Sequence, residues 1–439
     1  MAPQFLRINL VYRLVFWELA ALLCLISAMS ISGEDLPHPI PVVSFAMPSE
    51  VDAPVDPDAN EIAVFDDYSW RAFIALNWPA KPGIRGVPDE TKKIGDYLAP
   101  GAKVVWGTWK TEGEIFQAGL EFPNGSSLSG AAPSDEAPSA DPRQTMVIGS
   151  FGNFRDFNQA GNGRLGGPLV AQNHTYVRFQ VRLNPVEFDF IRDHFLDGRL
   201  KWPAADAPKL RFPSNSIAVK AAWKIIKEEE LPAAQSRFYT VDAMVLDPVS
   251  NTCKIEKMGL VGLHIVQKTL RRPQWVWSSF EQVDNVPEPG TAPSMERHFS
   301  FNDPSKPQVL DPPIASPPIS KSNPPLQNPK IMQVIRSKKI ADSTRRTNED
   351  YRALLKGTVW ENYALVMTQW PKFPQPEEEN GAPFPGPFTG PDPMTNIANT
   401  TMETYFQKTA STSCMNCHDA ARRKGSDFVW FLQLPAAEK

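Results

Sequence analysis

Alternating apolar and polar positions dominate the middle of the chain and give way to proline-rich stretches on either side. The clearest alternation runs over 175–183. There Tyr176, Arg178, Gln180 and Arg182 interleave with Val177, Phe179, Val181 and Leu183, the period-two signature of a strand. It predicts the second arm of a hairpin whose first arm is Leu169-Val170, turning at Gln172-Asn173-His174. Further strands are predicted over 216–226, 238–246, 255–268 and 274–283, all rich in Val, Ile, Tyr, Phe and Trp and several of them joined by short polar turns. Strands joined that way pair antiparallel, and the absence of an alternating βαβ pattern argues against a doubly wound parallel sheet. Helical spacing appears over 66–77, where Trp70, Phe73, Ile74 and Asn77 share a face, Asp66 or Asp67 serves as cap and Trp78-Pro79 ends the run. A second helix is predicted over 186–196, with Asn184 as cap, Pro185 in the first turn and Asp197-Gly198 as its end. A third helical stretch spans 331–355, interrupted near Asp342-Ser343, and a strand follows over 359–368. Residues 104–116 are aromatic and ordered without a clear period, and 123–143 read as a loop.

These elements predict an α+β fold, mainly antiparallel β and sandwich-like, with short helices, long Pro-rich connections and a small C-terminal segment. The expected divisions are an N-terminal leader over 1–32, a Pro-rich linker over 33–60, a sheet-rich domain over 61–285 and a Pro-rich arm over 286–330. A helix-strand region with a second Pro-rich arm follows over 331–395, and the last segment covers 396–439. Composition agrees. The 44 prolines in 439 residues are about twice the usual share and exclude a long helical bundle. A net charge of -4 argues against a nucleic-acid binder, which needs a basic face to displace condensed counterions.

The leader reads as an export signal. Arg7 and Arg13 give a positive end, residues 19–29 an apolar run too short to span a bilayer, and small residues follow up to Ser32. An uncleaved anchor over 14–31, and hence membrane association, is the alternative. A lipoprotein at Cys24 is disfavoured by Leu22 and Leu23 before it. Export places the chain in the periplasm of a Gram-negative bacterium. It also removes Cys24, leaving Cys253, Cys414 and Cys417, a poor set for a disulfide framework. Cys253 reads as a buried unpaired thiol on a strand. Glu228-Glu229-Glu230 reads as a solvated turn, and His38, His174 and His194 are assigned no role.

The motif with specific chemistry is Cys414-Met415-Asn416-Cys417-His418. Cysteines at i and i+3 lie on one side of a helical turn, so both thiols can add to the two vinyl groups of one porphyrin edge. The next residue, His418, is then aimed at the iron as proximal ligand. The implied cofactor is one covalent haem c, with Cys414 and Cys417 binding the macrocycle and His418 the metal. Zinc would need four ligands and finds only Cys253 as a further thiolate. A dithiol oxidoreductase, whose helix Ser411-Thr412-Ser413 could cap, and a plain disulfide are the other readings. Tyr405, Phe406, Phe428, Trp430 and Phe431 can cover a macrocycle, and Arg422, Arg423 and Lys424 can pair with its propionates. No Met or His follows His418, so a sixth ligand must come from upstream. The candidates are His264, His298, Met394 and Met402, with His264 preferred and Met402 next.

The residues assembled so far resemble a largely uncharacterised family of bacterial cytochrome c family proteins. The resemblance rests on Trp70-Arg71-Ala72-Phe73-Ile74-Ala75-Leu76-Asn77-Trp78-Pro79, on 259–269, and on 275–287 with its Phe-Glu-Gln-Val-Asp-Asn core. It continues through Thr368-Gln369-Trp370-Pro371, Met402-Glu403-Thr404-Tyr405 and 413–418, followed by Ser426-Asp427-Phe428. It covers most of the chain beyond the leader and implies haem binding and electron transfer, with functional positions only at Cys414, Cys417 and His418. Two function classes stay open. One is a periplasmic electron carrier that meets a redox partner protein. The other is a haem enzyme or gas-binding protein, such as a peroxidase or an oxidase subunit, with an open sixth site.

Overall fold

The computed structural model describes residues 39–52, 62–98, 102–112, 114, 146–149, 154–161, 167–194, 211–247, 252–290, 297–308, 317–371, 374, 397–407, 414–423 and 425–431. The expected export signal lies outside them, as do the loop at 123–143 and nearly all of the second Pro-rich arm. Residues from Ile40 on form one compact unit. Among the described residues no helix is long and apolar enough to cross a membrane.

Eight strands form one sheet: β1 (Lys110–Thr111), β2 (Met146–Ile148), β3 (Arg178–Leu183), β4 (Ile217–Ile225), β5 (Thr240–Asp247), β6 (Thr252–Gln267), β7 (Val276–Gln282) and β8 (Tyr363–Gln369). The organising strand is β6. One edge of it pairs with β4, while its other edge pairs with β5 along the first half and β7 along the second. It can sit there because, His264 apart, residues 258–266 are apolar or small on both faces and both faces are covered. The four central strands lie where the alternation predicts them. The fold is α+β as expected, but the sheet is mixed: β2 runs parallel to β5, and all eight described strands belong to one sheet, not to the two of a sandwich. Pairing of β2 with β5 skips over two intervening strands in the sequence, so no turn pattern between neighbours could signal it.

One face carries α1 (Ile62–Leu76) and α4 (Asp342–Leu354). Trp70, Phe73, Trp106, Trp223, Trp360, Tyr363 and Phe280 pack there with Leu263 and Ile265 of β6. Asn348 of α4 joins the layers: its Oδ1 accepts from Trp70 Nε1 and Leu365 N, each at 2.9 Å, and its Nδ2 donates to Leu365 O. The α1 helix begins a turn earlier than expected, so Asp66 and Asp67 do not cap it. Asp67 accepts from Tyr351 Oη at 2.6 Å, and Asp66 accepts from the Thr344 and Thr368 hydroxyls. The helix predicted over 331–355 forms only from Asp342. Residues 331–336 are extended, with Met332, Val334 and Arg336 buried in alternation and Val334 N donating to Phe301 O. That alternation has a period of two, and it outweighs the helical spacing.

Elsewhere, α2 (Pro185–His194) is capped as expected, Asn184 Oδ1 accepting from Glu187 N at 3.0 Å, and a short α3 (Leu231–Arg237) leads into β5. Cys253 lies on β6 but is only half-buried. Glu230 is not simply solvated, since it pairs with Lys224 at 2.6 Å.

Burial raises the Asp66 carboxyl to about 7, with the two threonine hydroxyls opposing the shift. A carboxyl whose folded pKa is raised adds stability at low pH and loses it as pH climbs from about 4 through about 7. Asp66→Asn is therefore expected to match or exceed the wild type above pH 7, by a few kcal/mol at most, and to lose that advantage towards pH 5. Thermal unfolding across pH 5–8 checks this, and an unchanged pH slope in the variant would rule it out.

Candidate functional site

The opposite face of the sheet carries the chemistry. A β-bulge decides what lies there. Ala222 of β4 faces Gly262, but the next residue, Trp223, faces Leu260, so Val261 is an extra residue in β6. Met258 and Leu260 before the bulge, and Leu263 and Ile265 after it, all reach the aromatic core. The inserted residue switches the parity, and it turns Gly262, His264 and Val266 to the other face. Lys220 lies beside His264 on β4, Ser279 beside it on β7, and Trp277 pairs with Val266.

Two C-terminal segments cover this face. Residues 397–407 lie over β7: Asn399 Nδ2 donates to Ser279 Oγ (3.0 Å), and Thr400 Oγ1 donates to Glu281 Oε2 (2.8 Å). A Cβ at Gly262 would collide with the Thr401 hydroxyl, so this strand position needs glycine for close approach. Further along, α5 (Cys414–Arg423) packs Met415, with Phe428, Val429 and Phe431, against Trp275, Trp277 and Val266.

Cys414 and Cys417 are free thiols one helical turn apart, the first half-buried and the second exposed. His418 follows, with its ring centroid 4.2 Å from that of Trp277. Its Nδ1 lies 2.5 Å from Phe428 O. A carbonyl only accepts, so Nδ1 carries the proton and Nε2 presents its lone pair. The carbonyl is itself aimed by a tight turn: Asp427 and Phe428 both have left-handed φ, 45° and 69°. Asp427 is held by Lys268 Nζ and by Phe212 N, both at 2.8 Å. The end of β6 thus orients the His418 imidazole through Asp427 and Phe428.

The charged groups around the motif respond to burial. It lowers His418 to about 4, with the Phe428 carbonyl opposing and Lys220 assisting, so the imidazole is neutral at pH 7, as a metal ligand must be. His264 falls well below its usual value through burial, then the charges of Lys220 and His418. Burial, then Glu403, pushes the Cys414 thiol well up and Cys417 less far. Burial also raises Glu403, to about 7, against the pull of Lys220, and lowers Lys220 itself. Lys220, His264, Glu403, Cys414 and His418 therefore feel one another across one desolvated patch, with Cys417 at its exposed margin.

His264 Nε2 is buried with no hydrogen-bond partner, and Glu403 Oε1 at 3.6 Å is beyond bonding reach. A free imidazole nitrogen, a second imidazole held by its outer nitrogen and two thiols on one helix side are a donor set that fits a c-type haem. Among the described residues no group of three or more His, Cys, Asp or Glu is arranged to hold a metal ion.

The other expected residues are distributed unevenly. Met402 is buried at Gly262 within a separate apolar cluster that includes Val261, Val286 and Phe301. His298 is exposed, and Met394 lies outside the described residues. Phe428 and Phe431 line the packing around α5, and Trp430 lies 6.5 Å from the His418 ring. Tyr405 instead donates to Pro168 O, away from the motif. Arg422 Nε donates to Asp419 Oδ1 at 2.7 Å; the Arg423 side chain and Lys424 are outside the described set. Sequence reasoning passed over Lys220, Glu403, Trp277 and the Lys268–Asp427 pair. Lys220, one of two lysines in an otherwise apolar strand, was the one available signal.

No family model matches the chain, and neither a curated protein nor a solved structure matches it.

Proposed function

We propose that this protein carries one covalent haem c on Cys414 and Cys417, with His418 on the iron, and that it transfers electrons to or from a redox partner protein in the periplasm. The observation that carries the reading is the orientation of His418, whose Nδ1–H is taken by the Phe428 carbonyl while Nε2 stays free beside two thiols of the same helix. Each thiol adds across one vinyl group: sulfur bonds to one carbon and the thiol hydrogen passes to the other, with no oxidant required. The haem supplies a one-electron Fe(III)/Fe(II) couple. The protein's own groups do the rest. Trp277 and Phe428 exclude water, the Phe428 carbonyl keeps His418 in one tautomer, and the Lys268–Asp427 pair holds that carbonyl in position. The leader with Arg7 and Arg13 supports export, which is the compartment where haem is attached in this way.

The test is the full-length chain produced in bacteria that mature c-type cytochromes. The expected product is a periplasmic protein with one haem per chain that survives denaturation and gives the pyridine haemochrome of thioether-linked haem. Protein that accumulates without covalent haem ends this reading.

A further inference from the structure

We propose that His264 supplies the second axial nitrogen, so that the iron held by His418 is six-coordinate and closed to exogenous ligands. The inference rests on the haem reading above and decides between the two function classes that the motif alone leaves open.

Three observations carry it. First, His264 is 9 % exposed, and its Nε2 has no hydrogen-bond partner. A buried polar nitrogen without a partner costs about 1–3 kcal/mol, and such atoms call for an explanation such as an absent metal. Second, the bulge at Val261 turns His264 onto the face that α5 covers. His264 and Trp277 lie on adjacent strands two positions apart in register, and Trp277 is the ring against which His418 packs. Both imidazoles therefore lie over neighbouring positions on one face of the sheet. Third, the other candidate groups are packed in an apolar cluster, exposed or hydrogen-bonded. The Met402 thioether packs under Gly262 in an apolar cluster, and His298 is exposed. Glu403 does not satisfy His264, because its Oε2 accepts from Asn399 N at 3.0 Å and its Oε1 stays 3.6 Å away. Lys220 is likewise engaged, donating to Gln159 O at 3.1 Å.

A six-coordinate site changes oxidation state without gaining or losing a ligand. That suits outer-sphere exchange with a protein partner, and it blocks binding of carbon monoxide or peroxide.

The experiment uses the matured full-length protein and reads absorption and electron paramagnetic resonance spectra. The wild type is expected to be low-spin in both oxidation states, with a ferrous form that binds carbon monoxide slowly or not at all. His264→Ala should become high-spin and bind carbon monoxide rapidly, and added imidazole should restore the low-spin spectrum. Met402→Ala and His298→Ala should keep the wild-type spectrum. His264→Met provides a second route if the alanine variant does not accumulate, since a thioether in place of the imidazole raises the midpoint potential. A haem-bearing wild type that is high-spin overturns the proposal, as does a His264→Ala protein that stays low-spin or a His264→Met protein with unchanged potential. A wild type without covalent haem overturns the haem reading first and this proposal with it.

Discussion

Replacing Cys414 and Cys417 together with alanine is expected to reduce the haem that stays with the denatured chain to background. The two thiols are the only attachment points near the motif, and Cys253 sits at the far end of β6, in the half that pairs with β5. The single variants should differ in a way their surroundings dictate. Cys414 is half-buried and packs against two apolar clusters, the one around Met415 and Trp275 and the one around Phe65 and Trp370. Removing its sulfur leaves a small void, so Cys414→Ala should cost about 1 kcal/mol of stability besides one thioether. Cys417 is exposed, and Cys417→Ala should leave stability unchanged within about 0.5 kcal/mol. Acid–acetone extraction of the denatured proteins measures the haem, and urea unfolding measures the stability. Denatured wild-type protein that releases its haem as readily as the double variant would contradict thioether attachment.

The second large effect is expected at Asp427. Its side chain and that of Lys268 are 2 % and 1 % exposed, 2.8 Å apart, and Asp427 also accepts from Phe212 N. Removing one partner of a buried ion pair strands the other charge, at a cost of about 3–5 kcal/mol. Glu187 limits the loss. Its carboxyl is fully buried without a hydrogen-bond partner, and burial and the charge of Asp427 hold it well above the usual range. With Asp427 gone, Glu187 ionises more readily and balances part of the Lys268 charge. Asp427→Ala should therefore fall at the lower end of that range in urea unfolding at pH 7. The paired substitution of Asp427→Leu with Lys268→Met should recover much of the loss, because two apolar side chains leave no stranded charge. An alanine variant within about 0.5 kcal/mol of the wild type would mean that the pair does not anchor the segment. Because Asp427 sets the turn that aims the Phe428 carbonyl, the same variant should also broaden the spectral lines of a His418-ligated iron.

Most strands were legible in the sequence because their signals are local. Alternation over 178–183 and the β-branched runs of β4 to β7 depend only on neighbouring residues. The same holds for Asn184-Pro185 at the head of α2. Errors arose where a distant partner prevailed. Residues 331–336 extend because they lie along Phe301 and Val170, and Asp66 is inside α1 because Thr344 and Thr368 receive it. The parallel pairing of β2 has no local signature at all.

For the site, the donor set was legible in the sequence: two thiols one turn apart and a histidine next to them are a property of five consecutive residues. The sequence could not determine what faces that histidine. His264 is four residues from Leu260, and strict alternation would put both on the aromatic face. One extra residue at Val261 reverses this and sends His264 to the face that α5 covers. The bulge is set by the register between β4 and β6, and the orientation of His418 by an ion pair from the end of β6. Both are contacts between residues far apart in the chain, so no local pattern encodes them.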